Sequence, residues 1–139
     1  MRTPALVLVS LFVCAAPAVA EVSDDQIAGW ADVVLDDIAI TSAEDIQRRV
    51  SACYAEVYDG ASDLVERCTT MHFTASIIEQ EMARTMNMEV SELYRNEIMA
   101  GIIATHFERA GKSVEYRNAF APRAIGIIHG RMRAWMERQ

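Results

Sequence analysis

From residue 23 onward, apolar side chains recur every three or four positions, the period of a helix that buries one face. Ile27, Trp30, Val34 and Ile38 share such a face. Ser23 stands before them with Gln26 three residues on, the pattern of a capping box, so a helix is predicted over 24–39. Ser42 caps a second helix with the stripe Ile46, Val50, Cys53, Tyr54 and Val57, and Gly60 is read as its C-terminal stop. Ser62 opens a third, along which Leu64, Cys68, Met71, Ala75, Ile78, Met82 and Met86 keep a narrow apolar stripe up to Asn87.

The fourth predicted helix spans 90–110, with Gly111 after it. Its middle, Ile98 to Ala104, is apolar all round, which places it inside the fold. Ser113 caps a short fifth segment. Pro122 suits a first turn better than a helix interior, so the last helix is predicted from there to about Arg138. The expectation is an all-α fold: a compact bundle of five or six helices with short links.

The first twenty residues follow a different pattern. Arg2 precedes the twelve-residue apolar run "ALVLVSLFVCAA", then Pro17, then "AVA" at 18–20. Such a run is short of the roughly 20 residues that span a bilayer, and A-x-A is a signal-peptide cleavage pattern. Cleavage before Glu21 is expected, leaving 21–139 as one all-α domain with no transmembrane segment, in the periplasm or outside the cell. A single arginine favours the general secretory route. Val13 in place of a small residue argues against lipid attachment at Cys14.

Export changes how the remaining cysteines are read. Cys53 lies seven residues before Gly60 and Cys68 eight after it, and both fall on apolar stripes. If the second and third helices fold back as an antiparallel hairpin, the two cysteines meet, and an oxidising compartment joins them. A redox-active pair would favour C-x-x-C spacing, so a structural disulfide is expected.

The full chain carries a net charge of −7, unevenly spread. Residues 21–66 hold twelve acids and two arginines, and residues 109–139 hold seven basic residues and two acids. Asp25, Asp32 and Asp36 form a candidate acidic docking face on the first helix, unless the two ends of the chain pair with each other. An exported acidic chain is not expected to bind nucleic acid.

On the last helix, Ile125, Ile128, Met132, Trp135 and Met136 make the expected core stripe. The opposite side gathers Gly126, Gly130 and Ala134, with Ile127 beside them and Arg123 and Arg133 bordering. Small residues let another helix approach closely, so this is a candidate interface for a partner protein or a homodimer.

Candidate chemistry is sparse. His72, His106 and His129 belong to no zinc or haem-attachment motif. Thioethers favour Cu(I), and Met71, His72, Met82, Met86 and Met88 form a weak candidate copper set, against the usual core-filling role of methionine. Glu79 and Glu81, two apart, face different sides of their helix, and no G-x-S-x-G or glycine-rich phosphate loop is present. The expectation is a non-enzymatic protein without cofactor that acts through protein–protein contact or an envelope accessory role. The alternative is a small copper- or haem-binding carrier.

Overall fold

The structure is a computed structural model and describes residues 21–61 and 63–139. The predicted leader and the predicted cap Ser62 lie outside the described residues. Those residues form five α-helices and one 3-10 turn: α1 Asp24–Ile38, α2 Ala43–Ala55, α3 Leu64–Met86, the turn Glu92–Tyr94, α4 Asn96–Arg109 and α5 Val114–Glu137. No strand occurs among the described residues.

The caps explain most of the boundaries. Ser23 accepts from the Gln26 N–H while the Gln26 side chain accepts from the Ser23 N–H, closing a capping box. Ser42 and Ser113 cap α2 and α5 in the same way, each side chain accepting from a backbone N–H three residues on. Asn87 ends α3 with φ 52°, and the Met88 N–H then reaches back to the Ala83 carbonyl. Gly111, φ 72°, does the same after α4, where the Lys112 N–H bonds Phe107 O at 3.0 Å. These two reversals aim Met88 and Lys112 at the sites described below.

Several boundaries differ from the sequence pattern. α2 stops at Ala55, and Gly60, φ 86°, turns the following link rather than ending the helix. α4 begins at Asn96 instead of 90 because the chain first makes the 3-10 turn. The two segments expected on either side of Pro122 are one continuous helix, α5, with the proline in its interior. Pro122 is exposed, and so is Asn118, whose carbonyl loses its helical N–H partner and can take water instead.

The central helix is α3, not the fourth. It packs against every other element, and twelve of its 23 residues are buried. Six of those twelve are polar: Glu66, Thr69, Thr70, His72, Thr74 and Ser76. Threonine hides its hydroxyl by donating within the helix, Thr70 to Glu66 O at 2.8 Å and Thr74 to Thr70 O at 2.7 Å. α4 lies at the edge, with only Ile103 and Phe107 buried, and one side of its apolar middle faces outward, Ile98 being exposed.

Two core clusters result. The larger joins α1, α2, α3, α4 and α5 around Ile27, Val50, Val65, Phe107, Phe120 and Ile128. The smaller gathers Val34, Leu35, Ile46, Ala75, Ile78 and Tyr94 at one end of the molecule. Cys53 and Cys68 join α2 to α3 with their Cα atoms 5.5 Å apart. α1 lies along α5, tied by Asp24–Arg123 and Asp32–Arg131, both 99 residues apart in sequence. That constant offset means the two helices run in the same direction.

Candidate functional site

The smaller core cluster is not closed over. Ile46, Ala75, Ile78 and Tyr94 form the floor of a groove of about 560 Å³. One wall comes from the end of α1 and the start of α2, through Ile38, Ala39, Thr41 and Ala43. The last turns of α5 supply Met132, Trp135 and Met136, and the end of α3 supplies Met82 and Ala83. Met88, turned back by Asn87, completes the lining with Glu79, Glu81, Glu89 and Ser91. The lining is mainly apolar, contains four methionines, and includes three carboxylates and no basic residue.

The mouth is unusually apolar for a surface. Met82, Met88 and Met136 are exposed, and beside the groove Met86 is 60% and Ile40 84% exposed. Met82 and Met86 therefore leave the core stripe their spacing suggested. Met136 also faces water at the groove edge.

The wall made by residues 88–95 is held by the polar face of α3. His72 Nε2 donates to Leu93 O at 3.0 Å, which leaves Nδ1 to accept from the Tyr54 hydroxyl at 3.2 Å. The Glu79 carboxylate accepts from the Ser91 N–H at 2.5 Å, and Gln47 donates to Ser91 Oγ at 3.0 Å. Gln80 donates to Ser76 Oγ at 2.9 Å. Burial pushes the His72 pKa below its ordinary value, against the smaller raising effect of the bond to Leu93. Burial likewise raises the Tyr54 hydroxyl, which keeps the pair neutral. Tyr54 also stacks on His106, their ring centroids 4.5 Å apart.

A second polar site lies at the other end of α3. Glu66 is fully buried, and its Oε1 accepts from Lys112 Nζ and from the Tyr116 hydroxyl, both at 3.0 Å. Lys112, the chain's one lysine, also lies over the Tyr116 ring. Among the described residues, Glu66 Oε2 and His106 Nδ1 are buried without a hydrogen-bond partner.

The sequence-derived sites are distributed as follows. Of the acidic face, Asp32 binds Arg131 through two bonds of 2.8 and 2.6 Å, while Asp25 and Asp36 are exposed. On α5, Gly126 and Arg133 are exposed and Ile127, Gly130 and Ala134 half-buried, with open space where a Cβ would stand on either glycine. Arg123 turns to the start of the described chain, bonding Asp24 at 2.7 Å and Val22 O at 2.6 Å.

The copper set is split. His72 has both ring nitrogens engaged, Met71 packs in the core, and Met86 lies outside the groove lining. Met82 and Met88 do line one groove, but together with Met132 and Met136. Sequence spacing could not bring α5 methionines to α3. Among the described residues no three His, Cys, Asp or Glu side chains gather as metal ligands, and no helix is long and apolar enough to cross a membrane. No family model, curated protein or solved structure matches the chain.

Proposed function

We propose that this is an exported, non-enzymatic binding protein whose working surface is the methionine-lined groove. The groove carries the reading: about 560 Å³ of mainly apolar space opening beside exposed Met82, Met88 and Met136. Pockets of about 300–1,000 Å³ with apolar walls suit a small ligand or a few inserted side chains. Methionine walls adapt to varied shapes because the side chain is unbranched and polarisable. In this reading residues 1–20 are a signal peptide removed before Glu21, and α2 and α3 fold as an antiparallel hairpin. The Cys53–Cys68 link near their junction supports both proposals, as does Ile46 sharing a cluster with Ala75 and Ile78.

Residues 21–139, expressed with the disulfide oxidised, should brighten the neutral dye N-phenyl-1-naphthylamine. The double variant Ala39→Phe/Ala43→Phe fills the groove from two exposed positions and should abolish the signal while leaving the circular dichroism unchanged. Dye binding that is absent, or untouched by the variant, rejects the groove as the working surface. Mass spectrometry of secreted protein should find Glu21 at its N-terminus; an intact leader rejects export.

A second reading, a Cu(I) carrier, is favoured by one observation: the thioethers of Met82, Met88, Met132 and Met136 line the same space. Competition with bathocuproine disulfonate decides it. Uptake of Cu(I) that disappears in Met82→Leu/Met88→Leu/Met136→Leu supports the carrier, and failure to compete removes it.

A further inference from the structure

We propose that the groove receives a basic amphipathic helix from a partner protein, with apolar side chains seated among the methionines and Lys or Arg lying over the glutamate rim. The inference rests on the groove being the working surface and adds what occupies it.

The sign of the charges around the groove selects its occupant. Glu79, Glu81 and Glu89 line the groove, and no lining residue is basic. Glu81 is ion-paired with Arg84 and Glu79 accepts the Ser91 N–H, while Glu89 stands exposed. A second copy of this acidic chain would set these carboxylates against its own, and an anionic lipid surface or a fatty-acid carboxylate would be repelled in the same way. A basic partner gains at the rim and is steered in by the net negative charge of the chain. The apolar space sets the second requirement. It is a groove and not a flat face, so it takes anchors spaced i, i+3 or i+4 along a helix, the mode by which methionine-rich grooves hold amphipathic targets.

The probes are two labelled peptides of about 20 residues, beyond the length at which an isolated helix is marginal, with Leu at i, i+3, i+4 and i+7. One carries Lys and the other Glu at four of the remaining positions, with Ala elsewhere. Binding to oxidised 21–139 is read by fluorescence anisotropy. The Leu/Lys peptide should bind at least about tenfold more tightly than the Leu/Glu peptide. Its affinity should fall several-fold between 0.1 and 1 M salt, as the screening length drops from about 10 to about 3 Å. Glu81→Lys/Glu89→Lys should erase the preference, and Ala39→Phe/Ala43→Phe should remove binding of both peptides.

Equal affinity for the two peptides, or Leu/Lys binding that survives the filled groove, overturns the proposal. If the neutral dye still enters while the peptides do not discriminate or do not bind, the groove stands and the basic partner falls. If neither dye nor peptide binds, both fall.

Discussion

Glu66 shows what single residues contribute that periodicity does not announce. A fully buried carboxylate is tolerable because the Schellman turn at Gly111 aims Lys112 at it and Tyr116 adds a hydroxyl. Lys112→Met should strand that charge and lower stability by about 3 kcal/mol in urea unfolding. Adding Glu66→Gln to the same chain should recover much of the loss, since the uncompensated charge, and not the missing pair, is the main penalty. Nothing in the sequence around Glu66 marks it as buried, and its partners lie 46 and 50 residues away. His72 is similar. Its spacing beside Met71 suggests a metal ligand, yet it holds the Leu93 carbonyl and accepts from Tyr54. Burial depresses the pKa of both His72 and His106 in the folded state. Below the unfolded value of about 6.5 the unfolded chain binds protons that the folded chain refuses. Stability should therefore be complete above that pH and decline as pH falls below it. The urea midpoint should be lower at pH 5 than at pH 7.5, and His72→Gln should narrow the difference, leaving the share of His106.

Elements were the most legible scale. Ser23, Ser42, Asn87, Gly111 and Ser113 each act where their chemistry predicts, because a cap is decided by a few neighbouring atoms. Gly60 and Pro122 depart from this; at Pro122, tertiary packing of Phe120, Ala124 and Ile128 on one face of α5 outweighs a missing hydrogen bond on the exposed side. Pro122→Ala restores the N–H to the Asn118 carbonyl and should stabilise the protein by about 2 kcal/mol, read as a raised urea midpoint. Gly130→Ala meets open space and should add about 1 kcal/mol. Which helix is central was not legible. A stripe reveals the apolar face of a helix but not how many neighbours cover it, and α3 buries threonines whose hydroxyls are satisfied within the helix. The groove was equally hidden, because its methionines come from α3, the following turn and α5.

At the scale of the whole molecule, the Cys53–Cys68 link encloses a short loop and should contribute about 3 kcal/mol by restricting the unfolded chain. Cys53→Ala/Cys68→Ala should lower the unfolding free energy by that amount with little change in helical content. The charge asymmetry between the chain ends is partly spent internally, with Asp24 and Asp32 of α1 bound to Arg123 and Arg131 of α5. Partly exposed pairs of this kind contribute about 1 kcal/mol or less each, so the α1–α5 seam rests mainly on the apolar cluster that Ile27, Ala31, Ala124 and Ile128 share. The arrangement has a temporal corollary. The first of the described helices packs on α3 and also along α5, the last of them. Until about a hundred further residues have been added, α1 lacks its α5 seat, so the fold closes only when the last helix is made.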